Sequence, residues 1–151
     1  VILSAPALGV SVEVPYVKDL AAGLLANYLP RFTMGNEIDF ADLIHDKKMQ
    51  QQYAKDPLRH DRISPKLYVE MLQAFEQALR YCENITLPVL VQEAGQEKVV
   101  SNEAIQKFYN KVGSETKKLI SYSDSFHEVY MDLEKNEVRA DMFKFLEDCG
   151  L

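Results

Sequence analysis

Two polar loops of the sequence carry the residue types that acid–base chemistry uses. They contain carboxylates, one amide and one histidine, at Glu93, Gln96, Glu97, Asp124, His127 and Glu128. A carboxylate can hold the proton on one imidazole nitrogen while the other nitrogen takes a proton from a nucleophile. The two loops therefore indicate a histidine base oriented by an acid. The alternative interpretation is that these are ordinary solvated loop residues.

Each loop follows a predicted strand. Residues 87–91 form the continuous apolar run LPVLV, which is typical of a parallel strand covered on both faces, and residues 118–122 are predicted to form the next strand. A helix capped by Ser101 lies between them, and a last helix ends at Gly150. This order predicts an α/β fold with a parallel sheet and flanking helices. Because functional groups gather where parallel strands end, the two loops are expected to meet.

The first half of the chain is predicted to be mostly helical. Residues 1–5 read as a buried strand, and residues 15–30 contain an apolar stripe with helical spacing, closed by proline. A short helix is predicted over residues 39–52, and another begins at Ser64 and Pro65. We refer to residues 11–82, which separate the first strand from the second, as the helical insert.

Composition and charge argue against nucleic-acid binding and against a membrane span. The chain has 151 residues and a net charge of −6, with no cluster of basic residues, which argues against a nucleic-acid partner. Its longest apolar stretch, over residues 20–29, is far short of the roughly 20 residues that cross a bilayer. The two cysteines, Cys82 and Cys149, are expected to be reduced thiols in a cytoplasmic protein.

Several motifs together resemble the last part of an α/β-hydrolase of the lysophospholipase and monoacylglycerol lipase group. A Leu-Pro pair introduces the strand before the motif EKVV, at Glu97 to Val100, and the motif HE, at His127 and Glu128, follows the last strand. The opening ILSAPAL resembles the strand after the nucleophile helix of this group. The DPL sequence beginning at Asp56 resembles the end of the lid that is inserted there.

The resemblance implies a division of the chain and a role for each polar loop. Residues 1–10 would be a core strand, residues 11–82 the lid, and residues 83–151 the final core strands and helices. Glu97 would orient His127 as the base of a catalytic triad. Most such hydrolases use Asp as the acid, so the Glu at position 97 is a departure, and Asp124 and Glu93 remain alternative acids.

The nucleophile of such a triad is not recognisable in this chain. Nucleophile elbows carry G-x-S-x-G, and no such pentapeptide occurs here. The chain also starts at Val1 inside an apolar run. We therefore expect the serine, the oxyanion-hole donors and the first half of the fold to lie upstream. Two alternatives stay open: a noncatalytic remnant or binding module, and another hydrolase of the same fold, such as a peptidase or dehalogenase.

The resemblance also implies a lipid-like ester substrate, a lysophospholipid or a monoacylglycerol. In such a fold the lid roofs the acyl-binding site and contacts lipid aggregates. Leu24, Leu25, Tyr28 and Phe32 are therefore predicted to line an apolar tunnel, with at most peripheral contact with the inner face of the membrane. No cofactor is expected. His45 and His60 lack the spacing of a metal site, so no metal is expected.

Overall fold

The computed structural model of the chain describes residues 1–11, 16–36 and 38–151. The described residues form five strands and five α-helices, in the order β1 Ile2–Ser4, α1 Tyr16–Tyr28, β2 Met34–Gly35, α2 Lys47–Tyr53, β3 Arg62–Ile63, α3 Pro65–Tyr81, β4 Val89–Ala94, α4 Asn102–Lys111, β5 Lys117–Tyr122 and α5 Lys135–Asp148. Short 3-10 helices lie at Phe40–Asp42 and Cys82–Asn84.

Strands β1, β4 and β5 form a parallel sheet with β4 in the centre. Val91 of β4 lies between Leu3 of β1 and Leu119 of β5. All six residues of β4 are buried, whereas β1 is only half-buried at its start because it is an edge strand of this sheet. The predicted α/β class with parallel strands is confirmed.

Both faces of the sheet are covered, which explains why β4 reads as a continuous apolar run. On one face, Val89 and Val91 pack with Ile105 and Phe108 of α4. On the other face, Ala94 at the end of β4 packs with side chains of β5 and α5. Successive residues of β4 therefore face opposite layers, as the two-residue period of a strand requires.

Strand β4 continues to Ala94, beyond the predicted end at residue 91. Gln92 is buried there because its side chain has partners. The amide of Gln92 donates to the Tyr122 hydroxyl at 2.7 Å and to the Val138 carbonyl at 2.8 Å, and its oxygen accepts from Tyr130. A hydrophobic pattern cannot show such partners, so the polar pair at Gln92 and Glu93 looked like the end of the strand.

The predicted helix boundaries follow from their capping residues. The Ser64 hydroxyl accepts from the Leu67 amide at 3.1 Å with Pro65 in the first turn, and the Ser101 hydroxyl accepts from the Ala104 amide at 3.2 Å. Gly150 follows the last helix with a φ of 75°, the left-handed conformation that glycine favours.

The helical insert differs from its prediction between α1 and α3. The short helix expected over residues 39–52 is two pieces, the 3-10 helix Phe40–Asp42 and α2, because Asp39 and Asp46 each cap a separate start. Strands β2 and β3 form a two-residue antiparallel ribbon that was not predicted. Strands this short carry no alternating pattern.

Helix α1 is present as predicted, but a different face is buried. Among the residues of α1 whose side chains are described, Ala22 and Ala26 are buried, whereas Leu24 and Tyr28 are exposed, and α1 packs against α3. The side chains of Val17 and Leu20, which begin the predicted apolar stripe, lie outside the described residues. Leu25, which lies beside Ala22 and Ala26 on the helix, is half-buried.

Candidate functional site

The ends of β4 and β5 bring the two polar loops together. The Gly95 amide donates to the Tyr122 carbonyl at 2.7 Å, and the Gln96 amide donates to the Ser125 carbonyl at 3.1 Å. The contact is so close that a Cβ atom on Gly95 would lie 2.6 Å from Cα of Ser123. Glycine at this position therefore lets the two loops touch.

Glu97 and His127 are joined across this contact. Oε2 of Glu97 lies 2.9 Å from Nδ1 of His127. The Glu97 side chain is 1% exposed, whereas the His127 side chain is 24% exposed. The acid is thus enclosed and the imidazole reaches the surface of a cavity.

The other carboxylate oxygen of Glu97 is held by the backbone. Oε1 accepts from the amides of Lys98, Val99 and Val100 at 3.0, 2.9 and 3.3 Å. Burial by itself would raise the pKa of Glu97, but the hydrogen bonds from His127 and from the Val99 and Val100 amides outweigh it and hold that pKa below its ordinary value. Glu97 is therefore a fixed carboxylate at neutral pH.

The bond to Glu97 decides which nitrogen of His127 remains for chemistry. Nδ1 is occupied, and among the described residues no group hydrogen-bonds to Nε2. His127 lines two cavities, of about 390 Å³ and about 250 Å³. An imidazole with an acid on Nδ1 and an open Nε2 can act as a general base.

The two alternative acids lie elsewhere. Asp124 is exposed, and its amide donates to Glu134 at 2.9 Å as part of a turn. Glu93 is buried within β4, where Oε1 is 3.4 Å from the amide nitrogen of Gln106 and Oε2 has no described partner. Glu97 is the carboxylate that the structure places on the His127 ring.

The larger cavity lies between the helical insert and the loop after Glu97. Its wall is mostly apolar, with Met34, Ile38, Ile63, Leu67, Met71, Phe75, Val99 and Val100. Asn36, His60, Arg62, Tyr68 and His127 add polar groups. The smaller cavity lies beside Ser4 of β1 and is lined by the residues around His127.

The four residues predicted to line an apolar tunnel do not line this cavity. Leu24, Tyr28 and Phe32 are 61%, 81% and 52% exposed, and Leu25 is half-buried. Helix α1 contributes Ala22 to the cavity wall instead. Leu24 and Tyr28 lie on the exposed side of α1, and Phe32 lies beyond the end of this helix.

Several residues that support the two loops were not predicted. Tyr53 and Arg59 bind Glu128, His45 binds Asp132, and Lys98 binds Asp42. Each contact links the helical insert to one of the two loops. Partners that are 56 to 87 residues apart in the chain leave no local sequence signal.

In the part of the chain that the structure describes, neither His45 nor His60 belongs to a metal cluster. Within residues 1–11, 16–36 and 38–151, no three metal-binding side chains come together. His45 binds Asp132 at 2.8 Å, and Nδ1 of His60 is 3.3 Å from the Arg62 amide nitrogen. In the same residues, no helix combines the length and apolar character needed to cross a bilayer.

The family model and the relatives that match this chain agree with one another. The family model Hydrolase_4, described as serine aminopeptidase S33, matches residues 1–134. Phospholipase YtpA of Bacillus subtilis is 27% identical over 139 residues, which are 91% of this chain and 54% of YtpA. An uncharacterized abhydrolase domain-containing protein of Dictyostelium discoideum is 27% identical over 97% of this chain and 16% of its own length.

Solved structures agree on the fold. The monoacylglycerol lipase of Paleococcus ferrophilus superposes with a TM-score of 0.88 at 26% identity, over 97% of this chain and 58% of that one. A soluble variant of the Saccharomyces cerevisiae monoglyceride lipase, in complex with a substrate analogue, gives a TM-score of 0.81 at 20% identity, over 97% and 52%. The chain thus spans about half the length of YtpA and of these two lipases.

The family match covers most of the chain, and the described fold agrees with it. The resemblance that the EKVV and HE motifs indicated is therefore confirmed. The chain belongs to the serine aminopeptidase S33 family of α/β-hydrolases, in the group that includes the lysophospholipases and monoacylglycerol lipases.

Proposed function

We propose that this chain carries the acid and the base of a serine hydrolase that cleaves a carboxylic ester of a lipid. The observation that supports the proposal is the 2.9 Å contact between Glu97 and Nδ1 of His127, with the imidazole on the wall of an apolar cavity. Family membership supports hydrolysis as the reaction class.

The proposed mechanism assigns one role to each residue. Nε2 of His127 takes the proton from a serine hydroxyl as its oxygen attacks the ester carbonyl, and later returns a proton to the leaving alkoxide. Water then cleaves the acyl-enzyme by the same route. Glu97 keeps the proton on Nδ1 and stabilises the imidazolium that forms. The serine and the oxyanion-hole donors would be supplied by a segment N-terminal to this chain, completing the fold.

The cavity supports a lipid-like substrate. Its wall is mostly apolar and its volume of about 390 Å³ suits an acyl chain, while His127 provides the reactive group at one side. YtpA is a phospholipase and two structural relatives are monoacylglycerol lipases. We therefore propose a lysophospholipid or monoacylglycerol as the substrate, handled without a cofactor. The free thiols Cys82 and Cys149 suit the reducing cytoplasm that we propose as its location.

The test uses the full-length protein and a fluorophosphonate probe, which labels activated serines. We expect the parent protein to be labelled, and His127→Ala to lower both labelling and ester turnover by orders of magnitude. Absence of labelling in the unaltered full-length protein would contradict the proposal and favour a noncatalytic binding module.

A matched pair of variants tests the identity of the acid. Glu97→Gln keeps the shape of the buried side chain but cannot stabilise the imidazolium, so we expect a loss of turnover of at least about a hundredfold. Asp124→Asn is the control, because Asp124 is exposed and does not contact His127. Equal turnover in the two variants would refute the role given to Glu97.

A further inference from the structure

The loop that carries His127 is held from outside by the helical insert. Three side chains of the insert, His45, Tyr53 and Arg59, bind carboxylates on the C-terminal side of His127. We call these three residues the brace. They are unused in the mechanism above, since none of them binds the reacting imidazole.

The first arm of the brace is formed by Arg59 and Tyr53, which bind Glu128, the residue directly after His127. Arg59 Nη1 donates to Oε1 of Glu128 at 3.0 Å, and the Tyr53 hydroxyl donates to Oε2. The Arg59 guanidinium also lies 3.6 Å from the centre of the Tyr53 ring. The Glu128 amide donates to the Leu43 carbonyl at 3.0 Å. Side chain and backbone of Glu128 are thus both attached to the insert.

The burial of Tyr53 strengthens the contact between this side chain and Glu128. The side chain is buried, and this burial, with the hydrogen bond to the Glu128 carboxylate, raises the pKa of Tyr53 to about 12. The phenol therefore stays a hydrogen-bond donor across the physiological range. A partly buried carboxylate that accepts from both a phenol and a guanidinium has little freedom to move.

The second arm of the brace is His45, which through Asp132 holds Phe126, the residue directly before His127. This carboxylate is buried, and its Oδ2 accepts from the Phe126 amide at 2.7 Å and lies 2.8 Å from Nδ1 of His45. The His45 amide donates to Oδ1 at 3.0 Å. The His45 ring stacks on the Phe126 ring, with 3.6 Å between centroids.

These contacts surround His127 on both sides in the chain, at Phe126 and at Glu128. Fixing both neighbours restricts where the imidazole can lie relative to Glu97. A displacement of about 1 Å in a reacting group can cost up to about a hundredfold in rate. We propose that His45, Tyr53 and Arg59 are positioning residues, through which the insert fixes the geometry of the base. This inference rests on the proposed role of His127.

The test measures ester turnover of the full-length enzyme with brace variants. Arg59→Met and His45→Ala are each expected to lower kcat about tenfold with less than a twofold change in KM, because the acyl-binding wall is left in place. Arg59→Lys should restore part of kcat. Lys107→Met is the control, since it breaks an exposed ion pair with Glu103 on α4 that contacts neither loop.

A double-mutant cycle separates positioning from a general loss of stability. In a Glu128→Ala background, Arg59→Met should change kcat by less than twofold, because its partner is already gone. Tyr53→Phe, which removes one oxygen and keeps the ring, provides a variant that should remain folded. A lower Tm with unchanged kcat in the brace variants would overturn the inference. Normal turnover in His127→Ala would instead overturn the proposed function.

Discussion

Glu97 is an acid whose ionised form is favoured by its surroundings, and this gives its stability contribution a defined pH dependence. Its pKa in the folded chain lies below the ordinary value of 4.5, so the unfolded chain takes up a proton first as the pH falls. The contribution is therefore complete above about pH 4.5 and is lost as the pH falls further, through the folded-state pKa.

We expect this loss to disappear in Glu97→Gln. Urea unfolding of the full-length protein between pH 7 and pH 3 would show a shallower decline in the free energy of unfolding than in the unaltered protein. Asp124→Asn, at an exposed turn, should retain the decline. If the free energy of unfolding falls equally with pH in Glu97→Gln and in the unaltered protein, the hydrogen bonds to the Glu97 carboxylate do not stabilise the fold.

The sequence singled out Glu97 and His127, to which we assign the roles of acid and base, only with the help of family motifs. From residue types alone, Glu93, Glu97 and Asp124 were equivalent carboxylates near a histidine. The feature that separates them is the turn that points three backbone amides at Glu97, and such a turn has no signature in the pattern of apolar residues. The brace was beyond prediction for a related reason, because it depends on how the insert folds back over the core.

At the scale of elements, the junction between β4 and β5 controls the distance between Glu97 and His127. A Cβ atom on Gly95 would lie 2.6 Å from Cα of Ser123 and 2.7 Å from the Tyr122 carbonyl oxygen. Both neighbours are backbone atoms and cannot rotate away. Gly95→Ala must therefore push the two loops apart.

We expect Gly95→Ala to lower both stability and turnover. The cost to unfolding free energy should be about 1–3 kcal/mol, as for other overpacking substitutions, and kcat should fall because the Glu97–His127 hydrogen bond lengthens. Thermal unfolding and ester turnover would measure the two effects. Gly23→Ala is the control, because nothing lies within 4 Å of its added Cβ and Gly23 is within a helix. A Gly95→Ala enzyme with normal kcat would show that the loops tolerate separation.

Elements with strong local signals were predictable, whereas their mutual orientation was not. Serine caps at Ser64 and Ser101 and the apolar run of β4 located three elements correctly. For α1, both the alanine face and the leucine face have helical spacing. The choice between them depends on tertiary packing, which periodicity does not contain.

For the molecule as a whole, the large side chains on the outer face of α1 provide exposed apolar surface. Leu24 and Tyr28 of this helix, and Phe32 just beyond its end, are all more than half exposed, so they contribute little to packing in this chain. The double substitution Leu24→Ser and Tyr28→Ser should leave Tm nearly unchanged, since surface changes of this kind usually stay within about 0.5 kcal/mol.

The same double variant tests whether this surface meets lipid. We expect turnover of dispersed long-chain esters to fall, because binding to an aggregate buries exposed apolar area, while turnover of a soluble short-chain ester stays constant. Leu58→Ser is the control, as Leu58 is 90% exposed and lies outside α1. Equal loss on both substrates would assign the effect to the reaction site and not to the lipid surface.

The hydrogen bond between the Glu128 amide and the Leu43 carbonyl bears on the design of chimeras in which the helical insert is exchanged between related proteins. A transplant that replaces the whole insert removes the contacts that hold the His127 loop together with most of the cavity wall. Chimeras that retain residues 40–59 and vary only the segments on either side should be the ones that remain active.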